Sequence, residues 1–299
     1  MVYNEQAGTA ALRAEFVDGA VKGFANAMYK FKQALTIAST SAWKNTFFRE
    51  QSTALSVAGG LGTLGQVPRG AQFPQGVVKW SEISSHVRKF AFEDSLLWED
   101  ILTDDIDVQS RTLYRVAEHV TKSVDDYIWD QIAESPSATA THTNTAIQQV
   151  DIAATKHWSG SSAAIIDDIH NALALVATSN YDTSNCMMFI NPRDRRSIMR
   201  WLSDKGAQFP SISEDIGRNG FVGKIAGVDL IVSNSVTASY ALLVVPKICG
   251  TWREAVSFRT TTIVDPYIKE TIKAVEEGAF QMTDPNAIVL LTNTRGDDT

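Results

Sequence analysis

Residues 51–78 carry a single charged side chain, Arg69, and six of the chain's 18 glycines. Gly59, Gly60, Gly62, Gly65, Gly70 and Gly76 punctuate the run, and Pro68 and Pro74 bar a helix through its second half. A surface loop of this length is ordinarily charged or disordered. A segment that is neither charged nor able to build a core of its own needs another surface to lie on. Flanking alternation (Thr53, Leu55, Val57 before it; Val78, Trp80, Ile83, Val87, Phe90, Phe92 after it) reads as strand. Together these features predict a long, glycine-jointed, two-stranded arm, whose simplest partner is a neighbouring copy of the same chain.

The remainder is long enough and apolar enough to bury a substantial core in two lobes: 299 residues, 44% hydrophobic. A net charge of -7 implies no general polyanion-binding surface. Cys186 and Cys249 lie in or beside apolar runs, which predicts buried free thiols and folding in a reducing compartment. The longest apolar stretches, 241–245 and 287–291, are far shorter than the ~20 residues a bilayer span needs, so no membrane role is expected.

Along the chain, Leu12, Phe16, Ala20, Phe24, Met28, Phe31 and Leu35 recur at helical spacing and predict an amphipathic helix over 9–38. After the arm, an acidic stretch from Glu99 to Asp107 leads into the clearest helix. Its stripe is Leu113, Ala117, Val120, Val124, Ile128 and Ile132. Acidic residues before a helix N-terminus favour its dipole, so Asp104, Asp105 and Asp107 read as capping rather than as a metal site. A Ser/Gly linker at 159–162 opens an alternating helix–strand lobe: helix around Ile166–Val176, strand at 187–190, helix from Asn191-Pro192 through Leu202, strands at 228–232 and 240–245. Strands at 260–264, 268–275 and 287–291 are expected to return to the lobe that holds the long helix.

Chemistry-bearing patterns are few. Gly60-Leu61-Gly62-Thr63-Leu64-Gly65 matches a dinucleotide fingerprint, but the proline and glycine that follow will not propagate the helix that chemistry needs. Of the five histidines, only Asp167-Asp168-Ile169-His170 contains anything like a cluster, and its polar residues read as the solvated face of a helix. Arg193, Arg195, Arg196 and Arg200 gather around one helix, suited either to phosphates or to inter-subunit salt bridges. Seven scattered tryptophans read as core and interface anchors.

The order of elements, with Phe90-Ala91-Phe92-Glu93-Asp94-Ser95, Val124-Asp125-Asp126-Tyr127-Ile128, Asn191-Pro192-Arg193-Asp194 and the run from Gly223 to Asn234, resembles the major capsid proteins of tailed double-stranded DNA bacteriophages. That resemblance implies the α+β Hong Kong 97-like fold. Its parts would be an N-terminal helical arm (1–45), an extended β-hairpin loop (46–90), a peripheral domain with a long spine helix (91–159 and 256–299) and an α/β axial domain (160–255). It implies an arm (Gly59, Gly60, Gly62, Gly65, Pro68, Arg69, Gly70) lying across the adjacent subunit. It also implies a spine-helix core of Leu113, Val120, Val124 and Ile128.

The implied function is a structural protein, not an enzyme and without cofactors, that self-assembles into pentamers and hexamers of an icosahedral shell. The shell would enclose double-stranded DNA without sequence specificity and be assembled in the host cytoplasm. Scaffolding, portal and decoration proteins are the implied partners. Only a short stretch precedes the loop, so a scaffolding protein, if any, is expected to be separate. Some family members link a loop lysine to a neighbour's asparagine. Here the only lysine between Gln51 and Trp80 is Lys79, at the arm's base, and no Asp or Glu lies in that span, so a non-covalent shell is expected. The alternatives are a cellular nanocompartment (encapsulin-type) shell of the same fold and, from another class, a nucleotide-binding enzyme using Gly60, Gly62 and Gly65.

Overall fold

An apolar stripe at helical spacing, uninterrupted by proline or glycine, leaves residues 108–133 little alternative to a single helix. The computed structural model describes residues 25, 28–50, 56–57, 69–70, 76–77, 80–102, 108–134, 142–204 and 223–295. Its helices are α1 (Phe31–Ala34), α2 (Trp98–Leu102), α3 (Val108–Ala133), α4 (Ile165–Thr178) and α5 (Pro192–Asp204). The first strands are β1 (Thr36–Ser39), β2 (Lys44–Glu50), β3 (Ser56–Val57), β4 (Gly76–Val77), β5 (Trp80–His86), β6 (Arg88–Leu97) and β7 (Gln148–Asp151). The later ones are β8 (Met187–Ile190), β9 (Lys224–Ile225), β10 (Val228–Val232), β11 (Tyr240–Val244), β12 (Thr251–Asp265), β13 (Lys269–Gln281) and β14 (Ile288–Thr292).

Two sheets carry the core. The first has the order β1-β12-β13-β6, built on a long antiparallel hairpin of β12 and β13. The helix α3, ~39 Å long at 1.5 Å per residue, packs across β6 and β13. Val116, Ala117, Val120, Val124, Ile128 and Ile132 are buried, and Leu113 packs against them half-buried. Phe90, Tyr127 and Trp252 cluster with centroids 5.4 to 6.4 Å apart. A Cβ at Gly278 would lie 2.4 Å from the Trp252 ring, so the strand needs a glycine where β13 passes this indole.

The second sheet runs β7-β14-β11-β8-β10-β9. Its central strands are apolar on both faces, and residues 288–291 and 241–243 are fully buried. Such strands require cover on both sides. Part of that cover is α4, which packs on β14 and β7, and Ile198 and Leu202 of α5 join the same core. Asn191 starts α5 as expected: its Oδ1 accepts the Arg193 amide at 3.0 Å, with Pro192 at the first helical position.

The structure departs from the sequence expectations at several points. The helix expected over 9–38 stops at Ala34. Leu35 is extended, and β1 follows, parallel to β12 from Thr36↔Thr251 to Ser39↔Glu254. Edge pairing to β12 satisfies backbone groups that periodicity does not register, and residues 9–24 lie outside the described residues. Residues 288–292 do not return to the lobe of the long helix. They pair with β11 and β7 in the second sheet, because a strand apolar on both faces would leave one face in water beside the hairpin of β12 and β13. The strand β7 joins that sheet too. The strand β6 begins at Arg88, inside the expected loop, and β12 is continuous across the expected boundary at 255/256.

Candidate assembly surfaces

The arm's base is antiparallel from Lys44↔His86 to Glu50↔Trp80. Alternation splits it into two faces. Phe47, Arg49, Ile83 and Ser85 face the body. They line a cleft with Tyr127, Phe280 and Met282, and Gln281 Nε2 donates to Ser85 Oγ at 2.9 Å. On the opposite face, Phe48 is 65% and Trp80 58% exposed. A ribbon that turns two large aromatics away from its own core presents a surface suited to a partner. Farther out, Ser56↔Val77 and Val57↔Gly76 pair in a second short ladder, and Arg69 and Gly70 form an exposed turn in which Gly70 has φ +83°. Gly59, Gly60, Gly62, Gly65 and Pro68 lie outside the described residues.

Another exposed apolar patch escaped the sequence reading. At the turn joining β12 to β13, Ile263, Val264, Tyr267 and Ile268 are exposed, with Leu97 of β6 beside them. Tyr267 is 80% exposed and has φ +61°. Its ring meets Trp98 edge-on at 5.8 Å, and the Trp98 amide donates to the Ile268 carbonyl at 3.1 Å. The available signal was the Asp265-Pro266 turn between apolar runs, which marks a hairpin but not its projection into water.

The segment around α1 is clamped to the body by buried charges. Lys32 Nζ lies 2.7 Å from Glu276 and 3.1 Å from Glu254, and the Tyr29 hydroxyl donates to Glu276, which is wholly buried. Desolvation and the neighbouring Glu276 carboxylate push the Tyr29 hydroxyl's pKa upward. Breaking such a buried pair by removing one partner costs about 3–5 kcal/mol. Asp125 of α3 supplies the cap that α1 lacks internally, accepting the amides of Lys30 at 2.8 Å and Phe31 at 3.2 Å.

Burial raises the Asp125 carboxyl to about 7 against the lowering effect of these amide donors, and Asp126 adds to the rise. The folded protein therefore holds this proton to higher pH than the unfolded chain, whose value is 3.8. Stability from this group is complete below that value and is lost as pH rises through about 7. We expect the melting temperature of isolated subunits to rise as pH falls from 7.5 to 5.5, and Asp125→Asn to flatten that slope. Differential scanning fluorimetry across this range checks it, and an unchanged slope in the variant would refute the assignment.

The four arginines separate. Arg193, Arg196 and Arg200 line a cleft of about 720 Å3 with Arg295, Ser159, Gly160, Ser161, Ser197, Trp158, Trp201 and Asp204. Arg195 does not line that cleft and is half-buried. The solvated-face reading holds for Asp167 and His170 but fails for Asp168. Asp168 is buried and accepts the Trp158 indole N–H at 3.0 Å, and burial raises its pKa. Periodicity placed it one position too far round the helix. Both cysteines are buried and unpaired, and burial pushes Cys249 up to about 12. Among the described residues no three His, Cys, Asp or Glu gather as metal ligands, and no helix is long and apolar enough to cross a membrane. Asp104, Asp105 and Asp107 lie outside the described residues.

Residues 82–290 match the family model for phage capsid protein. The chain belongs to the phage capsid protein family. No curated protein matched it by sequence. Among solved structures, the capsid of cyanophage P-SCSP1u superposes with a TM-score of 0.62 at 14% identity, covering 88% of each chain. A Mycobacterium phage Che8 structure gives 0.60 at 12% identity over 86% of each. A virus-like particle from Pyrococcus furiosus gives 0.59 at 12%, covering 93% of this chain and 99% of that one. These likenesses show the fold, the Hong Kong 97-like α+β capsid fold. This capsid chain is thus a structural shell protein, and the family match favours a viral shell over a cellular nanocompartment.

Proposed function

We propose that this protein forms the pentamers and hexamers of an icosahedral phage head around double-stranded DNA, assembling in the host cytoplasm with scaffolding, portal and decoration proteins. The observation that carries the reading is the arm: a two-stranded ribbon whose outer face exposes Phe48 and Trp80, in a chain of the phage capsid family. A head-to-tail contact of this kind closes into a ring when the rotation allows it. A sequence carrying six glycines between residues 51 and 78 is suited to serve both five-fold and six-fold rings, since glycine tolerates backbone angles that other residues avoid. Each contact need only be modest, because every subunit makes several. Electron microscopy of the purified protein tests the reading. Closed particles containing nucleic acid support it, whereas dispersed subunits, or particles filled with a folded cargo protein, overturn it.

The shell is held without covalent links in this proposal, since Lys79 is the only lysine between Gln51 and Trp80 and no Asp or Glu lies in that span. Particles boiled in detergent under reducing conditions should release one band at 32.7 kDa. A ladder of surviving multimers would overturn this, and Lys79→Arg would then identify the linked residue.

A further inference from the structure

We propose that the cleft between α5 and the 158–161 loop is a phosphate-binding site, and that in the particle its phosphates belong to the backbone of enclosed nucleic acid. The second half rests on the capsid reading above. Arg193, Arg196 and Arg200 stand at i, i+3 and i+7 on α5, so three guanidiniums project from one face along ~10 Å of axis. Arg295, just beyond β14, lines the same cleft, and Asp204 is the only carboxylate among its lining residues. In a protein of net charge -7, four arginines and one carboxylate among the described lining residues is a local inversion of the overall balance. Among the described residues, Arg193, Arg196 and Arg200 have no ion-pair partner.

Like charges converging at a cleft repel one another, and a multivalent anion would relieve that repulsion. The walls are preorganised. Trp158 is tied by its indole N–H to Asp168, and Trp201 donates to the Ala163 carbonyl at 2.9 Å. Gly160 turns back to the His157 carbonyl, where an added Cβ would sit 3.2 Å from that oxygen.

The donor set favours phosphate over carboxylate. The guanidinium forks of Arg193, Arg196 and Arg200 with the hydroxyls of Ser159, Ser161 and Ser197 offer more donors than one or two carboxylates accept. Arginine and serine are also the side chains that position phosphodiester backbones without reading sequence. The cleft is open to solvent along exposed Arg196 and Arg200, so a polymer could pass through it rather than end in it.

The test uses full-length wild type and Arg196→Ser/Arg200→Ser, both changes being on exposed side chains. A fluorescein-labelled double-stranded oligodeoxynucleotide is titrated by anisotropy at several salt concentrations, with inorganic tripolyphosphate and a poly-glutamate peptide as competitors. We expect the variant to melt as wild type does, to bind at least tenfold more weakly, and to lose about 1.8 from the slope of log K against log salt. Tripolyphosphate should displace the oligonucleotide at lower concentration than poly-glutamate. Equal binding by variant and wild type would overturn the site. Stronger displacement by poly-glutamate would overturn it in favour of an acidic protein partner. Binding of tripolyphosphate without the oligonucleotide would overturn the nucleic-acid half alone.

Electron microscopy of assembled particles keeps this inference separate from the shell reading. Variant shells of normal size with a lowered nucleic-acid absorbance ratio support the inference. A variant that forms no shells while wild type does shows the cleft to be a subunit contact and overturns it. If wild type forms no shells, the capsid proposal falls and the binding measurements still decide the site.

Discussion

Val120→Asp is expected to abolish cooperative folding of the isolated subunit near room temperature. Val120 is 1% exposed, in the middle of the stripe that α3 lays on β6 and β13. An aspartate there either buries an unpaired charge or takes up a proton to stay neutral. In both cases it leaves carboxyl oxygens without partners and removes the valine's apolar contacts, at a cost of several kcal/mol. Domains are stable by only about 5–15 kcal/mol, so one such change consumes much of the margin. Thermal and urea unfolding of subunits measures it. Lys122→Asp, two residues along on the exposed face, is the control and should shift the midpoint little. A normal transition in Val120→Asp would show the stripe to be misassigned.

Deleting residues 58–72 is expected to leave a folded subunit that forms no closed shells. Among the described residues of 51–79, none belongs to the core, and Arg69 and Gly70 are exposed. The base of the arm keeps its ladder between β2 and β5. The pairing Val57↔Gly76 would be closed by Phe73-Pro74-Gln75, a three-residue loop of a length common in hairpins. In the shell proposed above, what would disappear is the reach of the ribbon onto a neighbour, and with it one of the several contacts whose sum holds the shell. Far-ultraviolet circular dichroism with a native melting transition reports the fold, and electron microscopy reports assembly. A normal yield of closed particles from the deletion would refute the arm's role.

Local signals in this chain were legible without a structure. The period of α3, the proline-started α5 and the apolar runs of β8, β11 and β14 stand where periodicity and turn chemistry put them, whereas the ribbon's first strand, Lys44–Glu50, lies ahead of the alternation read at Thr53 to Val57. Such patterns depend on residues a few positions apart, which share a helix face or a strand face by geometry alone. Arg193, Arg196 and Arg200 were visible for the same reason.

Long-range choices were not legible. Glu276 could be read as one more charge on a strand until Lys32 and Tyr29, more than 240 residues earlier, were brought against it. Asp125 could not be known to cap a helix begun 94 residues upstream, nor Arg295 to share a cleft with Arg196. The destination of β14 was open too, because an apolar strand states only that both its faces must be covered, not which sheet will cover them. The exposed tip at Tyr267 was likewise hidden, since a turn signal does not say what stands beyond it. The sequence alone determined the long helix α3, the start of α5 and the apolar strands, because hydrophobic period and backbone restriction act within a few residues. Sheet membership, the buried charges at α1 and the arginine cleft were decided only by the tertiary structure, because each depends on pairing and desolvation between residues that meet only after the chain has folded.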